Sequence, residues 1–157
     1  MITKLVSGGH TGADIAALDV ALLHGYRTVV GVSKGRKSLE GPIPAKYQLT
    51  ETPSASYLQR TEWNVRDSDG TLVFTLAPEI TGGSLRTVGF AKKHGKPYLP
   101  IARLMGSYED PALTLQRFVE EHNIKTLNVA GSRESKEPDI HDWVMEVLED
   151  AFSHNAQ

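Results

Sequence analysis

Short apolar runs alternate with longer amphipathic stretches along almost the whole of this 157-residue chain. That rhythm predicts an α/β protein, because parallel strands cannot be joined by tight turns and take a helical crossover instead. The apolar runs Lys4-Leu5-Val6, Thr28-Val29-Val30, Thr71 to Thr75, Lys96 to Ile101 and Thr126 to Val129 read as strands. Helices are expected over 13–24, 54–66, 84–94 and 111–122, with Gly25 and Gly95 as stops and Ser54 as a cap. A stripe of Leu58, Thr61, Glu62 and Val65 marks the inner face of the second of these. The last helix is the clearest: Ile140, Trp143, Val144, Val147, Leu148, Ala151 and Phe152 recur at i, i+3, i+4 and their repeats. The fold class expected is a doubly wound, mostly parallel sheet flanked by helices, in one domain over 1–157. Residues 31–53 are rich in Gly, Pro, Lys and Ser and lack periodicity, which is long for a plain connection and suits a functional segment.

Composition removes whole classes of function. Hydrophobic residues at 39% and charged residues at 23% are those of an ordinary globular chain. No apolar run approaches the ~20 residues of a membrane span. The opening residues lack the layout of a secretory signal, so a cytoplasmic protein is expected. There is no cysteine. Disulfide scaffolds, thiolate metal sites and cysteine nucleophiles are therefore excluded. The net charge of −2 gives no global footprint for duplex nucleic acid. The six histidines are scattered without HxH or HxxxH spacing, and no protein-built metal site is expected. A GxSxG nucleophile elbow is also missing.

In a doubly wound sheet, ligands bind beyond the carboxyl ends of the strands. Three loops there are rich in small or polar residues. Ser7-Gly8-Gly9-His10-Thr11-Gly12 follows the first strand. Its glycines permit close approach, its hydroxyls donate, and the helix start behind it favours an anion. The spacing matches neither GxGxxG nor GK[ST], and the plainer alternative is a tight strand-to-helix turn. Thr81-Gly82-Gly83-Ser84 repeats the pattern ahead of another helix, with Thr87 one turn on. Asn128 to Ser135 follows the last strand and offers Gly131, an amide at Asn128 and a two-pronged cation at Arg133. Lys34, Arg36 and Lys37 add a basic cluster suited to an anionic small molecule, or simply a solvated loop. Arg60 and Asn64, four apart, share a helix face that could be site or surface.

Several stretches, in one order, resemble the family known as putative molybdenum carriers. They are Ser7 to Asp14 with Ala16-Ala17-Leu18-Asp19, Lys34-Gly35-Arg36, Glu40 to Pro44, Glu51 to Ser54, Arg60 to Thr71, Gly82-Gly83 and Leu127 to Ser135. The resemblance implies a Rossmann-like fold related to the lysine-decarboxylase-like proteins, which include cytokinin-activating phosphoribohydrolases and molybdenum cofactor carriers. It implies a nucleotide- or pterin-like phosphorylated ligand, in a homodimer or homotetramer. The expected ligand-binding set is Ser7, Gly8, Gly9, Thr11, Gly12, Lys34, Arg36, Gly82, Gly83, Ser84, Thr87, Asn128, Gly131 and Arg133. Molybdenum would arrive within its pterin cofactor or as an oxyanion, needing no thiolate. The phosphoribohydrolases carry PGGxGTxxE, with a glutamate serving glycosidic cleavage. Here Gly82, Gly83 and Thr87 remain, but Phe90 stands where that carboxylate would be. A non-catalytic binding protein is therefore the expectation. Nucleoside-monophosphate N-glycosidic cleavage, with Glu62, Asp67 or Asp14 as substitute carboxylate, is the alternative, and a nucleotide-sensing module a third.

Overall fold

A computed structural model describes residues 2–32, 37–38, 41–42, 50–51, 56–104 and 109–153. Strand β1 (Lys4–Ser7) is followed by α1 (Ala13–His24) and β2 (Arg27–Val32). Three two-residue strands come next: β3 (Lys37–Ser38), β4 (Gly41–Pro42) and β5 (Thr50–Glu51). Then come α2 (Tyr57–Arg66), β6 (Gly70–Thr75), α3 (Gly82–Lys93), β7 (Tyr98–Ala102), α4 (Pro111–Glu121), β8 (Thr126–Gly131) and α5 (Ile140–Ser153). The main sheet runs β5-β2-β1-β8-β6-β7, with every neighbouring pair parallel. Strands β3 and β4 form a separate antiparallel pair. The α/β, doubly wound reading of the sequence is thus the observed architecture.

Right-handed crossovers fix which helix covers which face. The chain steps one way from β1 to β2 and back the same way from β7 to β8. It steps the opposite way from β6 to β7. Accordingly α1, α4 and α5 pack together on one face, and α2 packs on α3 on the other. The last strand, β8, enters the centre between β1 and β6. Strand order reverses there, so the carboxyl ends of β1, β8 and β6 frame the natural place for a ligand.

Side-chain alternation along the central strands divides the interior. Leu5, Leu72, Phe74, Leu127 and Val129 are buried on the α1/α4/α5 side, in one cluster with Ile140, Trp143, Val144, Leu148 and Phe152. Helix α1 contributes Ala13, Ala16, Ala17 and Ala21 to that cluster. Their small side chains let it lie close to the sheet beside α5. The opposite face of the strands is more polar. Thr71 and Asn128 are buried there, and Asn128 Nδ2 donates to Thr71 Oγ1 at 3.3 Å.

Helix α1 ends at a left-handed Gly25, as its sequence predicts. Helix α2 differs from expectation. It is capped by Ser56, whose hydroxyl accepts from Gln59 N, while Ser54 lies outside the described residues. Its buried residues are Asn64 and Val65, and Leu58 is 44% exposed. Gly82 and Gly83 belong to the first turn of α3 and not to a loop before it. Of the 31–53 segment, β2 takes in Gly31 and Val32, and β3 to β5 account for the other described residues. Lys34 and Arg36 lie outside the described residues. No helix among the described residues is long and apolar enough to cross a membrane.

Candidate anion-binding site

A cavity of about 480 Å³ opens at the carboxyl ends of the central strands. The loop after β1 brings His10 to it, and the first turn of α1 brings Asp14. The start of α2 brings Tyr57, Leu58, Arg60 and Thr61, the start of α3 brings Thr81 to Ser84 with Arg86 and Thr87, and the end of β8 brings Ala130 to Arg133 with Lys136. Among the described residues, four of the lining side chains are cationic (Arg60, Arg86, Arg133 and Lys136) and one, Asp14, is a carboxylate. In a chain of net charge −2 this is a local positive field.

Arg60 is the unusual member. Its side chain is only 12% exposed. Nη1 lies 3.6 Å from Asp14 Oδ2 and Nη2 donates to Thr61 Oγ1 at 2.9 Å, but Nε is buried with no partner. Burial pulls its pKa down, against the opposing pull of Asp14 and Tyr57. A guanidinium does not give up its proton in a protein, so burial leaves a charge with an unmet donor. His10 responds in the other way. Burial first, then Arg60 and Arg133, lower its pKa to about 3, so its ring is neutral.

Helix α3 presents a second donor set. Thr81 stands at its N-cap position in extended conformation, but its side chain does not cap the helix. The hydroxyl of Thr81 instead accepts from Lys136 Nζ at 2.7 Å. An ammonium at the positive end of a helix is the wrong sign for the dipole, and a bound anion would reconcile the two. Thr87 Oγ1 donates to Gly83 O at 3.0 Å within the same turn. Behind this wall, Glu137 fixes the approach of the chain. Its carboxylate accepts from Leu76 N, Ala77 N and Ser132 Oγ, tying the loop after β6 to the end of β8.

The glycines divide into two groups by what a side chain there would meet. A Cβ on Gly8 would overlap Arg60 Nη1 and lie 2.9 Å from Asp14 Oδ2. On Gly12, where φ is +85°, it would overlap the carbonyl oxygen of Ser132 and lie 2.7 Å from Glu134 N. A Cβ on Gly131 would overlap the Phe74 carbonyl. These glycines make room for other parts of the protein. A Cβ on Gly83 would meet nothing within 4 Å, and one on Gly82 only Lys136 Nζ at 3.6 Å. Their bare backbone faces open space in the cavity wall.

A family model described as the circularly permutated YpsA SLOG family matches residues 5–152. The chain belongs to that family. A crystal structure of a putative molybdenum carrier protein from Syntrophus aciditrophicus SB is similar to this SLOG chain at 44% identity and a TM-score of 0.92. The match covers 96% of this chain and 94% of that one. A structure of (E)-4-hydroxy-3-methyl-but-2-enyl diphosphate reductase overlaps at 10% identity and a TM-score of 0.39, which carries no argument. No protein of curated function matches.

Within this SLOG fold the residues expected from sequence fall into three groups. Gly82, Gly83, Ser84, Thr87, Gly131 and Arg133 line the cavity. Ser7, Gly8, Gly9, Thr11, Gly12 and Asn128 are not among the lining residues. Ser7 Oγ donates to Asp14 O at 2.8 Å and accepts from Gly9 N, so it stitches its own loop. Thr11 Oγ1 is buried without a partner. Asn128 serves the polar sheet face described above. Lys34 and Arg36 form the third group, outside the described residues. The expected binding set did not include His10, which lies within the candidate loop after β1, nor Tyr57, Thr61, Arg86 and Lys136, and Arg60 was weighed equally as surface. The signal for Arg60 was present only as its shared face with Asn64, whereas its partner Asp14 is distant in sequence. Of the substitute carboxylates, Glu62 is engaged by Lys93 and His94 and Asp67 by Arg66. Only Asp14 lines the cavity.

Proposed function

We propose that this chain binds a small phosphorylated molecule of nucleotide or pterin type in the cavity and performs no chemistry on it. The observation that carries this reading is Arg60, a buried guanidinium with an unmet Nε donor, set in the same cavity as the uncapped start of α3. A helix N-terminus and an arginine fork are the two commonest devices for holding phosphate oxygens. The donor set is one of guanidinium, ammonium, hydroxyl and backbone N–H. It suits phosphate or another oxyanion and offers no thiolate to a bare metal ion. The relative described as a putative molybdenum carrier is in keeping with this chemistry if molybdenum is carried as an oxyanion or through the phosphate of its pterin.

A thermal-shift series with nucleoside monophosphates, inorganic phosphate, molybdate and uncharged nucleosides tests the reading. Ligand at 100 times its Kd contributes about 2.7 kcal/mol, a rise in Tm of roughly 5–10 °C for a domain of this size. The expected result is stabilisation by anions and none by the neutral nucleosides. Stabilisation by nucleosides alone would remove the proposal.

N-glycosidic cleavage of a nucleoside monophosphate is a second reading, favoured by the presence of Asp14 in the cavity. Its carboxylate accepts from His10 N at 3.1 Å and sits beside Arg60, so it is committed to holding the site together. A committed, ion-paired carboxylate is a weak general base. Incubation with purine monophosphates and chromatography for free base decides between the readings: release of base at high protein concentration establishes the catalytic one.

A further inference from the structure

The connector from β8 to α5 mixes charges of both signs in Arg133-Glu134-Ser135-Lys136-Glu137. Lys136 N and Glu137 N both donate to Arg133 O, at 3.1 and 3.0 Å, so this stretch closes into a single helical turn. Residues three apart then lie on the same side. Arg133 and Lys136 are one such pair, and both line the cavity. Glu134 and Glu137 are the other, and their carboxylates are spent on anchoring backbone. Glu137 holds the loop after β6, as described above. Glu134 is half-buried, and it reaches across to the start of α5, where Oε2 accepts from Asp139 N at 2.7 Å and Oε1 from His141 N at 2.9 Å. We infer that Glu134 is a positioning residue of the anion site: by clamping the start of α5 to the connector, it aims Arg133 into the cavity. The inference rests on the anion reading proposed above and adds to it a residue that touches no ligand.

Both ends of the connector are held. On the upstream side, Ser132 N donates to Phe74 O at 3.0 Å and Ser132 O accepts from Ala13 N at 3.2 Å. The backbone also lies against the start of α1, where a Cβ on Gly12 would come within 2.9 Å of Arg133 C and 2.7 Å of Glu134 N. On the downstream side the chain turns into α5 through Asp139, whose φ of +76° is a left-handed conformation that residues with a side chain rarely adopt. Glu134 accepts from the N–H of that residue, so its carboxylate holds the strained turn. Its charge also meets the positive end of a 14-residue helix, where it is compensated. Arg133 therefore stands between two fixed points. Without the Glu134 carboxylate, two N–H groups at the start of α5 turn to water and the downstream point is released. An arginine held in place gives up less side-chain freedom when it engages an oxyanion, so releasing it weakens binding.

The test is calorimetric titration of inorganic phosphate into the wild type, Glu134→Ala, Glu134→Gln, Arg133→Ala and the double variant Arg133→Ala/Glu134→Ala, with melts that set a temperature at which each is folded. Glu134→Ala is expected to bind phosphate about tenfold more weakly than the wild type, the scale of one charge-assisted hydrogen bond. Glu134→Gln keeps one acceptor oxygen and is expected to fall between the two. The sign separates positioning from charge. Both variants remove the same negative charge, so a purely Coulombic role for Glu134 would make both bind phosphate more tightly, and equally so. The double variant is expected to bind within about twofold of Arg133→Ala, because Glu134 acts through Arg133. Additive losses in the double variant would mean a general loosening and overturn the inference. So would a Glu134→Ala variant that binds phosphate as tightly as the wild type or more tightly. Either of these results leaves the anion reading standing. If Glu134→Ala does not fold, the same comparisons made with Glu134→Gln decide the matter, undiminished binding being the contrary result. If the wild type binds no phosphate, the anion reading falls and this inference with it.

Discussion

Gly8 and Gly83 each precede or open a helix, yet alanine at the two positions should act through different atoms. At Gly8 the new methyl would occupy the place of Arg60 Nη1, the end of a long side chain that can move aside. The backbone there needs no positive φ, so Gly8→Ala is expected to fold, to displace the guanidinium from Asp14, and to weaken phosphate binding about tenfold. A circular dichroism melt alongside the titration separates this from unfolding. At Gly83, in the first turn of α3, the methyl enters open space, and alanine is favoured over glycine by at most the ~0.5–1 kcal/mol of a helix interior. Gly83→Ala should keep or raise Tm and still weaken phosphate binding, because it adds a methyl to a residue that lines the cavity. Retained affinity in Gly83→Ala would place the anion elsewhere. The glycine-rich loop after β1 was legible in the sequence as a special backbone, but its beneficiary was not. Which atoms need the space at Gly8 depends on Arg60 arriving from another helix, and no local spacing encodes that arrival.

Among elements, α1 and α5 are held together by apolar packing and by ion pairs, of which His141 with Asp19 is the shorter and His24 with Glu149 the longer at 4.0 Å. His141, in the first turn of α5, places Nε2 2.9 Å from Asp19 Oδ2 on α1 and Nδ1 3.0 Å from Asp142 Oδ1. Its backbone N–H donates to Glu134. Burial lowers the pKa of His141, but the hydrogen bonds to Asp19 and Asp142, with their charges, outweigh it and raise the pKa above the ordinary value. A raised folded-state pKa means that the His141 pairing contributes in full below about pH 6.5 and is lost as pH rises through the raised value. The Tm difference between wild type and His141→Ala should therefore be largest near pH 5.5 and shrink by pH 8.5. A difference that does not change with pH would assign His141 to packing alone. The elements themselves were readable where periodicity and stop signals coincide, as in α1 with Gly25 and α5 with its unbroken apolar stripe. Helix α2 was misjudged because its first turn faces a cavity. Leu58 continues the apolar pattern without entering the core, and the cap is Ser56, two residues after the expected Ser54.

For the whole molecule, the crossovers place one apolar interior under α1, α4 and α5 and a more polar layer under α2 and α3. The cavity lies where the carboxyl ends of β1, β8 and β6 meet the second of these layers. The α/β class and the carboxyl-edge location of the site follow from the alternation of strands and helices. The strand order does not, since nothing local in Thr126 to Gly131 states that the last strand is central. That placement matters for function, because it brings Arg133 and Lys136 from the far end of the chain to the start of α3. The resulting claim is that a buried, incompletely satisfied guanidinium is kept for an anion. Calorimetric titration of inorganic phosphate into the wild type and Arg60→Met tests it most directly. Binding by the wild type and at least a tenfold loss in Arg60→Met is the result expected; the change also leaves the buried Asp14 carboxylate without its cation, so a lower Tm is expected with it, and a melt run alongside confirms that the variant is folded at the titration temperature. Undiminished phosphate binding in Arg60→Met would contradict it.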